Sequence, residues 1–227
     1  HIHDRRQRQM CIRDSLSSGI YSGEFNLNES EETTHFSIVD EYGNASSLTT
    51  TLNGSFGSGI IVDGAGFLLN NEMDDFSIQP GYPNMYGLIG GEANAVEPSK
   101  RMLSSMTPTI LEKDGNLFMV LGTPGGSTII TAVFQTIINV VDYDMSIEQA
   151  VNSPRFHHQW YPDEIKLEKD IAKDSNLIIQ LKAMNHQLNF VSSMNRVDAI
   201  LVKKNKYFGG ADNLSLIHIS EPTRRTS

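Results

Sequence analysis

The stretch that decides the fold is LFMVLGTPGGSTIITAVFQTIINVV, residues 117–141. Its first five residues are all apolar and run into the loop GTPGGS, which predicts a short buried strand followed by a turn. From Ser127 to Val141 the apolar residues recur at spacings of one, three and four, which predicts a helix with a wide buried stripe. The stretch therefore predicts a buried strand, a glycine-rich loop and a helix, in that order.

Further elements flank this stretch on both sides. Upstream, residues 34–52 contain two strand patterns rich in β-branched residues around the turn EYGN, which predicts a β-hairpin. Downstream, the capping box SIEQ predicts one short helix, and another is expected to begin at Asp174 or Ser175. Two closing strands are predicted at residues 198–202 and 207–209. Strands at both ends with helices between them predict a layered α+β domain.

The overall composition excludes several classes of protein. With 39% hydrophobic and 20% charged residues the chain is globular, and no apolar run approaches the roughly 18 to 20 residues of a membrane helix. The formal net charge of -9 argues against a nucleic-acid partner, because phosphate backbones bind basic surfaces. No Cys/His cluster has the spacing of zinc ligands, and the one cysteine, Cys11, cannot form an internal disulfide. Neither a metal nor a cofactor is predicted.

The two ends of the chain differ from its body. Residues 1–14 and 214–227 hold six of the nine arginines and the one cysteine, and the fragments CIRDS and SLIHISEPTRRTS look like translated sequencing adapter. We therefore expect both ends to be non-native and exclude them from the fold. Residues 15–32, rich in Ser, Asn and Glu, are predicted to be a linker, and residues 33–213 the folded domain.

A threonine at the start of the domain is the first residue that could carry chemistry. If the chain were cleaved after Glu32, the α-amine of Thr33 would become free, and its ordinary pKa of about 8 suits a general base for the threonine hydroxyl. The alternative is that Thr33 merely precedes a strand. Spacing alone favours the second interpretation.

Three other clusters also have both a chemical and an ordinary interpretation. The acidic run NNEMDD at residues 70–75 could bind an ammonium group or a hard metal ion, or form a solvated turn. The pair Gly125 and Gly126, at a helix start, could hold a developing oxyanion through backbone N–H groups. The adjacent serines Ser104 and Ser105 could donate hydrogen bonds to a carboxylate.

Seven motifs, taken together and in order, resemble the small, catalytic subunit of the gamma-glutamyltranspeptidase family, also called glutathione hydrolase. Between about Thr33 and Asp212 they are TTHFSIVD, TLNGSFGSGI, LLNNEMDDFS, PNMYGLIGGEANAV, PSKRMLSSMTPTI, LGTPGGSTIIT and NSPRFHHQW. The resemblance implies an N-terminal-nucleophile hydrolase, an αββα sandwich of which this chain is the partial, small-subunit half. It also implies a precursor that cleaves itself, with the large subunit of the same precursor as partner.

The resemblance further implies a role for each candidate residue. Thr33 would attack the peptide bond after Glu32 and then, as a new N-terminus, the γ-glutamyl amide of glutathione or a related donor. The other implied roles are Thr51 orienting the nucleophile, Asn53, Glu72 and Asp75 holding the α-ammonium group, Ser104 and Ser105 binding the α-carboxylate, Gly125 and Gly126 forming the oxyanion hole, and Tyr86 serving as a lid.

Several alternatives stay open at this point. A related acylase for glutaryl or cephalosporin side chains, or a transpeptidase for polyglutamate, would share the fold. The chain alone could also be an inactive fragment, because in the family an arginine of the large subunit binds the donor carboxylate. The acceptor is expected to be water, an amino acid or a dipeptide. The resemblance implies a periplasmic, secreted or membrane-anchored protein, which this chain itself does not decide.

Overall fold

The computed structural model describes residues 33–212. Glu32, Asn213, the predicted linker and both predicted non-native ends lie outside the described residues. The described residues fall into two compact units. The loop unit comprises Thr33 and Thr50–Ser105, and the sheet unit comprises Thr34–Thr49 and residues 106–212.

The sheet unit begins with the predicted hairpin. Its strands are β1, Thr34–Val39, and β2, Ala45–Thr50. Asp40 closes the turn between them, because its Oδ1 accepts the N–H groups of Tyr42 at 2.9 Å and Asn44 at 2.8 Å. The turn sequence EYGN therefore forms the connection that the pattern predicts.

A four-stranded antiparallel sheet forms the centre of the sheet unit. Its order is β3-β4-β8-β9, with β3 at Thr109–Lys113, β4 at Asn116–Gly122, β8 at Asp198–Lys203 and β9 at Lys206–Ala211. The turn from β3 to β4 places Asp114 and Gly115 at positive φ, the backbone form whose twist suits a two-residue hairpin. The predicted strand before the glycine loop and both closing strands are confirmed, while β3 was not predicted.

A second, smaller sheet was also not predicted. It contains β5, Phe156–His157, β6, Ile165–Glu168, and β7, Leu188–Val191. Strand β6 pairs antiparallel with β5 and parallel with β7. These strands are two to four residues long, too short for an alternation of apolar and polar residues to be distinguished from a loop.

Three α-helices lie among the described residues of the sheet unit. They are α1 at Ile129–Val141, α2 at Ile147–Asn152 and α3 at Ser175–Ala183. The predicted capping box is present at the start of α2, since Ser146 Oγ accepts the Gln149 N–H and Gln149 Oε1 accepts the Ser146 N–H. Helix α1 begins two residues later than predicted, after a 3₁₀ turn at Gly126–Thr128. None of the helices within residues 33–212 is long and apolar enough to cross a membrane.

The main hydrophobic core lies between the four-stranded sheet and helices α1 and α2. Strand β4 contributes Met119 and Leu121, and α1 contributes Ile129 and Val133, all nearly or fully buried. Strand β1 packs against β4 and β8. The sheet unit is therefore layered, with helices, sheet and hairpin stacked in that order.

The loop unit has little regular structure. It contains two 3₁₀ turns, Glu72–Asp75 and Glu92–Asn94. Isolated antiparallel bridges join Ile61 to Leu68 and Pro83 to Ile89, and a parallel bridge joins Ser77 to Ala95. Its loops are held by backbone–backbone hydrogen bonds, such as that from the Ser58 N–H to the Leu69 carbonyl at 2.9 Å, and by bonds between side chains and backbone.

His35 is buried inside the sheet unit. Its side chain is 7% exposed, its Nδ1 lies 2.8 Å from Thr49 Oγ1 and its Nε2 lies 3.0 Å from Ser37 Oγ. Gly122 of β4 lies directly against the imidazole, where a Cβ would overlap the ring. Burial lowers the pKa of His35 to about 4, because the charged ring would lose its hydration.

We expect His35 to make the fold sensitive to acid. The folded-state pKa of about 4 lies below the ordinary 6.5, so between these pH values the unfolded chain binds a proton that the folded chain does not. The free energy of unfolding is therefore highest above pH 6.5 and decreases as the pH falls toward 4. Between pH 7.5 and 4.5 the free energy of unfolding should fall by about 2 kcal/mol more in the wild type than in His35→Gln. Urea denaturation at both pH values measures this, and equal losses in the two proteins would contradict it.

Candidate functional site

The turn after β2 fixes two of the predicted site residues. Asn53 is 8% exposed and adopts a left-handed backbone conformation at φ 70°. Its backbone N–H donates to Thr51 Oγ1 at 2.9 Å, so the threonine hydroxyl is held by the turn itself. Asn53 Nδ2 donates to the Asn71 carbonyl at 3.4 Å, and Asn71 Oδ1 accepts from Gly54 N at 2.8 Å. These contacts join the turn to the start of the acidic run.

A third predicted residue, Tyr86, reaches the same turn. Its hydroxyl donates to the Asn53 carbonyl at 2.7 Å. The loop that carries it is shaped by Asn84, whose Oδ1 accepts from the backbone N–H groups of Tyr86 at 3.0 Å and Leu88 at 2.9 Å. The structure thus brings Thr51, Asn53 and Tyr86 together within the loop unit.

The acidic run forms the 3₁₀ turn Glu72–Asp75, which crowds three carboxylates together. Burial, and after it the negative charges of Glu72 and Asp74, raise the pKa of Asp75 to about 6. Burial also raises the pKa of Glu72. No lysine or arginine among residues 33–212 forms an ion pair with Glu72 or Asp75, and no cluster in that range suits a metal ion. The turn therefore presents desolvated negative charge that an incoming cation would stabilise.

Asp74 differs from its two acidic neighbours. It is 8% exposed, and its Oδ2 accepts the backbone N–H of Met85 at 2.9 Å. Burial raises the pKa of Asp74, while the bond from Met85 opposes that rise. Asp74 thus ties the acidic turn to the loop that carries Tyr86. Sequence reasoning missed this role because the three acids look equivalent in the sequence.

We expect Asp74→Ala to free the Tyr86 loop, because it removes the acceptor of the Met85 N–H. Hydrogen–deuterium exchange of a peptide spanning residues 83–89 should become about tenfold faster or more, while exchange in β4 stays unchanged. Asp74→Asn is the matched control, since the amide keeps an oxygen at the same place and should retain most of the protection. Equal exchange in wild type and Asp74→Ala would contradict this role.

The predicted serine pair lies at the end of the loop unit. Ser104 is exposed and Ser105 is half-buried. The preceding residue, Leu103, donates its N–H to Asn94 Oδ1 at 2.9 Å, and Asn94 Nδ2 donates to the Asp75 carbonyl at 2.7 Å. Asn94 therefore connects the acidic turn to the serine pair. It was missed as a functional residue because its two partners are far from it in sequence.

The predicted oxyanion glycines lie in the sheet unit between β4 and α1. Gly125 has φ 131° and Gly126 has φ 60°, conformations that disfavour any L side chain. A Cβ on Gly125 would also overlap the Asn195 side chain, whose Nδ2 donates to the Pro124 carbonyl at 2.8 Å. Thr128 Oγ1 donates to the Gly125 carbonyl at 2.7 Å, so the loop is fixed on both sides.

A buried ion cluster anchors the segment that contacts this glycine loop. Arg155 is 4% exposed and pairs with Asp212 at 2.5 Å and with Glu168 at 3.6 Å. Arg155 also donates to the Met194 carbonyl at 2.8 Å, and the Met194 N–H donates to Glu168 at 2.6 Å. The cluster thereby fixes residues 194–196, which contact the glycine loop through Asn195. Sequence reasoning did not find Arg155.

Comparisons with known proteins show which family the chain belongs to. The profile of the family described as Gamma-glutamyltranspeptidase matches residues 1–216. The chain is 48% identical over 201 residues to the glutathione hydrolase proenzyme of Escherichia coli strain K12, covering 88% of this chain. It covers 34% of that relative, so the chain spans about a third of the length of the curated relative.

Solved structures show the same fold. A crystal structure of a point mutant of Helicobacter pylori gamma-glutamyltranspeptidase superposes with a TM-score of 0.75 at 52% identity, covering 79% of this chain and 98% of that chain. Cephalosporin acylase from Bacillus halodurans superposes with a TM-score of 0.64 at 23% identity, covering 79% of this chain and 32% of that one. The second likeness concerns the fold alone. The N-terminal-nucleophile hydrolase fold expected from the sequence is confirmed.

Proposed function

Because the chain belongs to the gamma-glutamyltranspeptidase family, we propose that it is the catalytic part of an enzyme that cleaves γ-glutamyl amides, glutathione among them. The observation that carries the proposal is the pair Glu72 and Asp75. Both carboxylates are partly desolvated, and neither has a cation partner among residues 33–212. Such a pair fits the α-ammonium group of a γ-glutamyl donor.

The first step proposed is self-cleavage of the precursor. The Thr33 hydroxyl attacks the carbonyl carbon of Glu32, and the peptide C–N bond breaks to leave an ester and a free Thr33 amine. Water then hydrolyses the ester, which releases the Glu32 carboxylate and restores the hydroxyl. The relative from Escherichia coli is named a proenzyme, which supports such a step. The product carries its own general base, the α-amine of Thr33.

The second step is acyl transfer from the donor. The α-amine takes the Thr33 hydroxyl proton as the oxygen attacks the γ-carbonyl, and it returns that proton to the leaving amine. The backbone N–H groups of Gly125 and Gly126 are proposed to stabilise the oxyanion, a contribution of roughly 10²- to 10³-fold in rate per donor. The resulting γ-glutamyl ester is then released to water, or to the amine of an amino acid or dipeptide.

The loop unit is proposed to recognise the α-amino-acid end of the donor. Asn53, Glu72 and Asp75 hold the α-ammonium group, and Ser104 and Ser105 hold the α-carboxylate. Thr51 orients the nucleophile, and Tyr86 closes over the bound donor. The hydrogen bonds that fix Thr51 and Tyr86 to the Asn53 turn support these roles.

The partner proposed is the large subunit of the same precursor. The chain spans about a third of the relative's length, which leaves room for such a subunit. The outer face of the hairpin exposes Phe36 by 41%, Ile38 by 53% and Leu48 by 41%. Apolar side chains on the outer face of a layered fold are stable when another layer covers them. We expect the large subunit to supply that layer, and the chain without it to be inactive.

We expect self-cleavage to require the hydroxyl of Thr33. The precursor that contains this chain should separate into two chains at the Glu32–Thr33 bond and release p-nitroaniline from γ-glutamyl-p-nitroanilide. Thr33→Ala should remain a single chain, with turnover lower by at least about 10³-fold. The matched control is Thr34→Ala, which should cleave and turn over. Mass spectrometry and absorbance measure both; an uncleaved, inactive wild-type precursor would overturn the proposal.

We expect the ammonium site to separate this reaction from that of a glutaryl acylase. A glutaryl group lacks the ammonium that Asp75 would neutralise, so Asp75→Ala should lower kcat/KM for γ-glutamyl-p-nitroanilide by about 10²-fold or more. Cleavage of glutaryl-p-nitroanilide should change by less than about threefold. Asp63→Ala, which removes an exposed carboxylate of the same unit, is the matched control. Equal losses on both substrates would count against the assignment.

A further inference from the structure

Asn94 uses both ends of its side-chain amide to connect two parts of the loop unit. Nδ2 donates to the backbone carbonyl of Asp75 at 2.7 Å, and Oδ1 accepts the backbone N–H of Leu103 at 2.9 Å. Asp75 is the proposed ammonium ligand, and Leu103 directly precedes the serine pair proposed for the carboxylate. One side chain therefore spans from one half of the donor-recognition site to the other.

The backbone of Asn94 is itself held in place. It ends the 3₁₀ turn Glu92–Asn94, in which its N–H donates to the Gly91 carbonyl at 3.0 Å. Its carbonyl accepts the N–H of Ser77 at 2.9 Å, beside the bridge between Ser77 and Ala95. Because both the N–H and the carbonyl of Asn94 are hydrogen-bonded, its side-chain amide holds the Asp75 carbonyl and the Leu103 N–H at a defined separation.

Few residue types could make this pair of contacts. The site needs one donor, for a carbonyl, and one acceptor, for an N–H, at the end of a short side chain. Aspartate would keep the acceptor for Leu103 but would place a second oxygen against the Asp75 carbonyl. Alanine would make neither bond and would leave both backbone groups without this partner.

We propose that Asn94 is a positioning residue that sets the spacing between the ammonium-binding carboxylates and the carboxylate-binding serines, and thereby selects donors that carry both groups. This inference rests on the proposed function. A ligand held at both ends binds its second end as an intramolecular event, and that gain depends on the spacing being correct. A ligand held at one end has no such dependence.

The distinguishing experiment compares three small ligands on the processed two-chain enzyme. L-Glutamate carries both groups, glutarate lacks the ammonium, and 4-aminobutanoate lacks the α-carboxylate. In Asn94→Ala the dissociation constant of L-glutamate, measured by calorimetry, should rise about ten- to hundredfold, while those of glutarate and 4-aminobutanoate change less than about twofold. The KM of the γ-glutamyl donor should rise more than kcat falls.

Two further variants complete the test. Asn94→Asp should show the same loss, confined to L-glutamate, and serves if the alanine variant does not fold. Asn116→Ala is the matched control, because it removes an exposed asparagine that bonds the Asp114 carbonyl at 3.0 Å in the β3–β4 turn. That variant should bind all three ligands like the wild type.

The outcomes distinguish a failure of the proposed donor recognition from a failure of the role proposed for Asn94. A wild-type enzyme that does not prefer L-glutamate over glutarate would overturn the proposed donor recognition. A wild-type preference that persists unchanged in Asn94→Ala and Asn94→Asp would overturn the role of Asn94 and leave the proposed function intact. Equal weakening of all three ligands would likewise overturn it, in favour of a general structural role.

Discussion

Strand β4 must be covered on both faces, and the sheet unit is arranged around that requirement. Met119, Val120 and Leu121 have no exposed surface, and successive side chains of a strand point to opposite faces. Helices α1 and α2 cover the face of Met119 and Leu121, and β1 packs on β4 from the hairpin layer. Each such side chain contributes about 1.5 to 3 kcal/mol when it leaves water. The chain must then reverse sharply after β4 so that α1 can return over the same face.

That reversal explains why the glycine loop needs support from elsewhere. Gly125 and Gly126 can adopt the required backbone, but glycine also gives the loop the most freedom to lose on folding. The loop is held instead by residues 194–196, which the ion cluster of Arg155, Glu168 and Asp212 anchors. Removing one partner from a buried ion pair costs about 3 to 5 kcal/mol. The glycine loop therefore depends on a charged cluster in the second half of the chain.

The sequence predicts the parts of this protein whose signals are local. The hairpin, helix α1 and the capping box at Ser146 follow from turn chemistry and apolar spacing within short windows, and all three are present. Strands β5 to β7 and the contacts of Asn94 do not follow, because their partners lie outside such short windows. The ordered motifs indicate the residues of the candidate site. Only the structure shows which of them are joined by hydrogen bonds, as Thr51 and Tyr86 are to Asn53.

The loop unit shows how a segment with little regular structure can hold charges that it does not neutralise. Side-chain amides and carboxylates supplement its backbone turns: Asn94 and Asp74 bond backbone groups 19 and 11 residues away, and Asn84 bonds the backbone of its own loop. This network keeps Glu72 and Asp75 close together, although burial and mutual repulsion raise the pKa of Asp75 to about 6. The bonds of Asp74 to Met85 and of Asn94 to the Asp75 carbonyl tie the turn that carries the two carboxylates to other segments of the loop unit. A cation bound between them would favour the charged form of each carboxylate, and its binding would therefore relieve their mutual repulsion.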